Sequence, residues 1–214
     1  MADTSWTVHI DQSLLSEARE RARLENQDLD QVVQRLLQEW LSSPAATPRA
    51  PAELPAGLQV EYIQSPHYEE RPPDTRIWAI VIHATANDSM NGVIDWFTDP
   101  QSLVSAHYNV GKDGRVVQMV REEQRAWHAG KSQWKGVESV NDFSVGIELV
   151  NRNDGVDPYP QEQYQVCLKL CKYLVDKYGI EPEDIVSHRA ISLTGKTDPA
   201  GFDMDRLRRD VAAG

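Results

Sequence analysis

A chain of 214 residues with 40% hydrophobic side chains and six tryptophans can fill one medium domain and still carry an appendage. Its formal net charge of −11 disfavours nonspecific association with nucleic acid or with anionic envelope polymers. No apolar run approaches the roughly 20 residues that span a bilayer. The N-terminus MADTSWTVHIDQ has neither the basic nor the apolar segment of a secretory signal. The expectation is therefore a protein cytoplasmic at synthesis, without membrane association, that leaves the cell, if at all, by a non-Sec route.

Residues 5–11, SWTVHID, set Trp6, Val8 and Ile10 against Thr7, His9 and Asp11, the period of a short strand. A helix follows over 12–25, with Leu14, Leu15, Ala18 and Ala22 at helical spacing. NQDLD interrupts it, and Asp28 or Asp30 can cap a second helix that runs to about Leu41 with Leu29, Val33, Leu36, Leu37 and Trp40 on one stripe. Strand, helix, turn, helix resembles a ribbon-helix-helix unit, which has too little core to fold alone and so implies a homo-oligomer through residues 1–43. In that family the outward strand residues, here Thr7, His9 and Asp11, would read DNA. Residues 1–48 carry four arginines against eight acids, which favours dimerisation or protein docking over DNA binding.

Residues 44–58 are rich in Pro, Ala and Ser without periodicity, the composition of a linker. From residue 59 to 214 the pattern becomes mixed α/β. RIWAIVIH and DFSVGIELVN are near-continuous apolar runs, as expected of strands buried on both faces. MNGVIDWFTD reads as a short helix, and AHYNVGKDGRVVQMV as two strands joined by a Lys-Asp-Gly turn. QEQYQVCLKLCKYLVDKYG is a long helix with Tyr164, Cys167, Leu168, Cys171, Leu174, Val175 and Tyr178 inward and Gly179 at its end. Cys167 and Cys171, four apart on one helix, read as buried thiols rather than a disulfide. DIVSH is a short strand, and a terminal helix begins near Asp203 or Asp205. The fold class is α/β, a central mixed sheet flanked by helices and preceded by a small strand-helix-helix module.

Several polar groups fall at the ends of the buried strands. His83 closes IWAIVIH, His188 follows DIVS, and Glu148 interrupts VGIELV, where a carboxylate is costly unless it is used. Lys196 and Asp198 occupy the loop after His188. Two imidazoles and one carboxylate from separate segments suit Zn²⁺ with a fourth position open to water. Glu148 could then move the water's proton and Lys196 stabilise an oxyanion. Histidines at strand ends are more often ordinary core or surface residues, Glu148 can equally pair with an arginine, and spacing alone does not bring His83 and His188 together.

IVIHATA, SAHYNVGKDGRV, AWHAGKSQWKG, NDFSVGIELVN and SHRAISLTGKTDP, in this order, resemble the zinc-dependent N-acetylmuramoyl-L-alanine amidases, the superfamily of phage T7 lysozyme, the AmpD and AmiD amidases and the peptidoglycan recognition proteins. The resemblance spans about residues 60–210 and looks nearest to the AmpD/AmiD branch. It implies cleavage of the amide between N-acetylmuramic acid and L-alanine, in peptidoglycan or muropeptides. By the same resemblance His83, His188 and Asp198 are the zinc ligands, Glu148 the catalytic base and Lys196 the oxyanion stabiliser. The tyrosine of the T7 branch is replaced by Ala106, which fits Glu148 in its role. One departure is KTDPAGFD, where Ala200 precedes the glycine that commonly follows the proline directly.

His107, His128, Trp134, Asn87 and Asn141 are the candidate substrate contacts. Two other readings compete with catalysis: a non-catalytic muropeptide-binding module, and a muropeptide-sensing regulator that uses residues 1–43. The presence of all three ligands, the glutamate and the lysine favours the enzyme. The setting stays open between recycling of soluble muropeptides, a phage lysin released at lysis, and an exported effector.

Overall fold

The computed structural model describes residues 12–24, 27–42 and 57–213. The expected strand over 5–11, with Thr7, His9 and Asp11, and all of the linker but residues 57 and 58 lie outside them. The chain divides into two compact units, Met1–Ala50 and Pro51–Gly214.

In the first unit, α1 (Gln12–Leu24) and α2 (Leu29–Ser42) form a helical pair. Asp28 starts α2, its carboxylate accepting the backbone N–H of Gln31 at 3.1 Å, which satisfies one of the orphan donors of the first turn. Ala22 is buried, but Val33, placed on the inward stripe by its spacing, is 43% exposed, and Leu24 is 79% exposed.

The second unit is built on a six-stranded sheet. Its strands are β1 (Val60–Tyr62), β3 (Ala79–Ala84), β4 (Tyr108–Val110), β5 (Val116–Gln118), β9 (Ser144–Leu149) and β10 (Ile185–Ser187), in the order β1-β5-β4-β9-β3-β10. Only the β4–β5 pair is antiparallel. Gly114, at φ +82°, makes the turn between β4 and β5 possible. The described residues add two small ribbons: β2 (Tyr68–Glu70) with β6 (Gln124–Ala126), and β7 (Gln133–Trp134) with β8 (Val137–Glu138).

Strand alternation gives the sheet two unlike faces. Ile80, Ile82, Tyr108, Val110, Val116, Ile147 and Leu149 form one, packed with residues of α4 (Gln161–Tyr178) and α6 (Met204–Ala212) in the main core. On the inward side of α4 lie Gln163, Tyr164, Cys167, Leu170, Cys171 and Leu174, whereas Leu168, Val175 and Tyr178, expected inward, are only half-buried. Gln163 takes an inward place because its side-chain amide donates to the carbonyls of Val110 and Val150, at 2.9 and 3.1 Å. Asp203 caps α6 by accepting from Arg206 N–H. On the opposite face α3 (Met90–Thr98) packs Val93 and Phe97 against Val117 and Met119, and the short α5 (His188–Ile191) follows β10 directly.

Among the described residues no helix is long and apolar enough to cross a membrane.

Candidate active site

β3 and β9 are neighbours in the middle of the sheet, and their register sets His83 beside Glu148. On the other side of β9, Asn109 of β4 pairs with Glu148. The three side chains therefore leave one face in a row. β10 pairs with the far edge of β3 and ends at Ser187, whose hydroxyl caps α5 by accepting from Ala190 N–H. His188 is the first residue of that helix. The loop that follows returns Asp198 to the same place, and Arg189 N–H donates to the Asp198 carbonyl at 2.9 Å.

The result is a convergence that spacing could not establish. Nδ1 of His83 and Nδ1 of His188 lie 3.2 and 3.0 Å from the same oxygen, Oδ2 of Asp198. One donor atom from each residue falls within 4.8 Å of the others, and all three residues are buried. Burial works against a charged Asp198, but the adjacent His188 and His83 outweigh it and hold the carboxyl well below its ordinary range. Burial also pushes His83 down to about 4, so its imidazole is neutral at physiological pH. His188 Nε2 is 3.3 Å from the Ala129 carbonyl, which can only accept. Nε2–H of His188 is thus the donor to that carbonyl, and Nδ1 faces Asp198. Two imidazole nitrogens and a carboxylate oxygen, buried and turned toward one another, are a fitting donor set for zinc.

A cavity of about 860 Å³ opens over this cluster. Glu148 lines it, and its Oε2 is shut from solvent without a hydrogen-bond partner. Burial, helped by the nearby Asp198 charge and opposed by Lys196, pushes the Glu148 carboxyl up to about 8. Lys196 is exposed and lines the same cavity. Beyond Asp198 the loop with the additional Ala200 is held at that residue. Asn153 accepts Ala200 N–H at 2.7 Å, and the Tyr159 hydroxyl donates to the Ala200 carbonyl at 3.2 Å.

Of the five candidate substrate contacts, Asn87 and His128 line the cavity. The other three do not line it. His107 is wholly buried, its Nδ1 accepting Gly146 N–H at 2.9 Å and its Nε2–H donating to the Gln124 carbonyl at 3.1 Å. Asn141 spends its side-chain oxygen on the N–H groups of His128 and Ala129, at 3.1 and 2.8 Å. The Trp134 indole donates to Asp184 at 2.8 Å and packs against the buried cluster of Ala79 and Val81.

Sequence reasoning missed Trp96, which is 53% exposed on the cavity wall. The signal was present: Val93 and Phe97 mark the inward side of α3 and leave Trp96 off it. It also missed Arg71. Burial pushes this guanidinium down to about 10, still charged at neutral pH, and it donates to the carbonyls of Glu122, Asn141, Asp142 and Ser144. Arg71 thereby fixes the segment that enters β9.

A mixed sheet with a buried His-His-Asp donor set at strand ends, a free carboxylate and a lysine has the layout of a metal-assisted hydrolase. Residues 73–201 match the family model of N-acetylmuramoyl-L-alanine amidases. The 1,6-anhydro-N-acetylmuramyl-L-alanine amidase AmpD of Salmonella typhimurium is 34% identical over 175 residues, covering 72% of this chain and 91% of that protein. The crystal structure of a selenomethionine derivative of AmpD superposes with a TM-score of 0.65 at 32% identity, covering 74% of this chain and 99% of that one. AmiD from E. coli, in complex with the substrate anhydro-N-acetylmuramic acid-L-Ala-D-γ-Glu-L-Lys, superposes with a TM-score of 0.57 at 35% identity, covering 66% of this chain and 60% of that one. The chain belongs to the N-acetylmuramoyl-L-alanine amidase family.

Proposed function

We propose that this cavity hydrolyses the amide between the lactyl group of N-acetylmuramic acid and the L-alanine of the stem peptide, with soluble 1,6-anhydro-muropeptides as its substrates. The observation that carries the reading is the unpartnered Oε2 of Glu148 in the cavity that the His83-His188-Asp198 cluster lines. The AmpD relative and the ligand of the AmiD complex support the anhydro sugar.

His83, His188 and Asp198 would hold the zinc ion. Bound there, zinc supplies a Lewis acid for the scissile carbonyl and a water whose pKa falls toward about 7. Glu148 takes the proton of the attacking water on its free oxygen and returns it to the departing amine of L-alanine. Burial first and the Asp198 charge second push the Glu148 carboxyl up, and a cation held by the three ligands would favour its ionised form. Lys196 places its ammonium where negative charge grows on the carbonyl oxygen. Glu148 and Asp198 divide the work of two carboxylates because their surroundings differ. One is isolated and pushed up, the other lies against two imidazoles and is pulled down.

Exposed Leu24 and Val33 on the helical pair support a separate role for residues 1–43 in self-association or docking.

The test is digestion of purified anhydro-N-acetylmuramoyl-tripeptide and of intact sacculi by the zinc-loaded chain, beside His83→Ala. The expected outcome is release of the L-alanyl peptide from the soluble substrate, little from sacculi, and none by the variant. Equal release by His83→Ala would overturn the mechanism, and preference for sacculi would overturn the substrate.

A further inference from the structure

His128 touches none of the expected ligands except one. Its Nδ1 is 3.0 Å from Nε2 of His83, and its Nε2 is 3.2 Å from the Ser144 hydroxyl. The direction of each bond can be worked out from its far end. The Val140 carbonyl can only accept, and Ser144 Oγ lies 2.6 Å from it, so the single hydroxyl proton points there. Ser144 Oγ must then accept from His128 Nε2–H. A neutral His128 carries no second proton, so its Nδ1 is a lone pair that accepts from His83 Nε2–H. His83 in turn keeps Nδ1 bare, and that atom faces Asp198.

We propose that His128 and Ser144 are positioning residues of the metal site: the Val140–Ser144–His128 chain fixes the His83 proton on Nε2 and so presents Nδ1 to zinc. The proposal rests on the reading of His83, His188 and Asp198 as the zinc site. The scaffold around the chain is built for it. Ser144, Gly146 and Glu148 alternate along one face of β9, and the His128 ring lies flat enough on Gly146 that a Cβ there would meet its Cγ at 2.5 Å. Asn141 holds the backbone of His128 and Ala129 from the other side. The Ala129 carbonyl serves His188 as the His128 ring serves His83. One dipeptide therefore orients both imidazole ligands, in the manner of outer partners that set the tautomer of metal-bound histidines.

The experiment measures Zn²⁺ affinity of the full chain by competition with a chromophoric chelator, for the parent, His83→Ala, His128→Phe, Ser144→Ala and Gly146→Ala. Long-range ¹H–¹⁵N spectra of the zinc-free parent report which imidazole nitrogen carries the proton. Both His83 and His128 are expected as Nε2–H tautomers. His128→Phe and Gly146→Ala are expected to weaken zinc binding about 10–100-fold, with Ser144→Ala near the lower end of that range. Circular dichroism identifies any variant that fails to fold, and Ser144→Ala, which removes one oxygen, keeps the test open in that event. His128 protonated on Nδ1, or parental affinity in His128→Phe and Ser144→Ala, would overturn the proposal. Parental affinity in His83→Ala would instead sink the zinc site itself.

Discussion

The two faces of the central sheet are made by the same strands and obey different rules. On the α4 and α6 side every inward residue of β3 and β9, from Ile80 and Ile82 to Val145, Ile147 and Leu149, is apolar and closed to solvent. On the other side the same strands present His83, Ser144, Gly146 and Glu148, with His107 and Asn109 from β4 and its approach. Burial of the first set lowers the free energy of folding by about 1.5–3 kcal/mol for each large side chain. The second set needs partners to avoid a cost, and most have them: His107 on Gly146 and Gln124, Ser144 on Val140, His83 on His128. The exceptions are informative. Glu148 Oε2 and Asn109 Oδ1 are buried and unpartnered side by side in adjacent strands. One face holds the molecule together, and the other accepts a local cost where a substrate and a water must enter.

Glu148→Gln separates these roles most sharply. It keeps shape and removes the base, so kcat on the anhydro-muropeptide should fall by about 10²–10⁴-fold. Zinc affinity, measured alongside, should stay with the parent because the amide replaces no ligand. A variant with parental kcat would leave the unpartnered carboxylate without a catalytic role.

The same substitution should stabilise the zinc-free fold, and increasingly so as the pH rises. The Glu148 carboxyl ionises near 4.5 in an unfolded chain and near 8 in the fold. Between those values the folded state retains a proton that the unfolded state has released, so this group's contribution to stability falls with rising pH and levels off above about 8. Glu148→Gln lacks that loss. The gap in melting temperature between variant and parent should therefore widen from pH 4.5 to 8 and then hold constant. A gap independent of pH would mean that Glu148 ionises in its ordinary range.

Much of the site was legible in the sequence because a polar residue in an apolar run is conspicuous. His83, Glu148 and His188 each end or interrupt such a run, and Asp198 follows within one loop. Their meeting required the register of β3 against β9 and β10, which no spacing encodes. Ser144 and Gly146 were illegible for the opposite reason. Small residues carry no chemical signal until the ring of His128, distant in the chain, is placed on them. His107, Asn141 and Trp134 lie outside the cavity lining, because hydrogen-bonding or stacking capacity looks alike in the sequence whether its partner is substrate or the protein's own interior. In the fold, the long helices came from periodicity and β3 and β9 from their apolar runs, while β1, β2 and β6 are short segments broken by polar residues that carry neither signal.

The smallest effect on the reaction should come from the apolar face. Ile80 is fully buried in β3, three residues before His83 and on the other side of the strand. Ile80→Ala leaves a cavity among side chains that make no contribution to the donor set, and should cost about 2–5 kcal/mol of stability in a denaturant titration. The backbone hydrogen bonds to β9 and β10 do not depend on the side chain, so His83 should keep its register beside Glu148. Zinc affinity and kcat/KM per folded molecule should match the parent at temperatures well below the melting transition. A fall in kcat/KM comparable to that of Glu148→Gln would show that the two faces are coupled through the strand, and that packing under β3 sets the aim of His83 as well as the stability of the sheet.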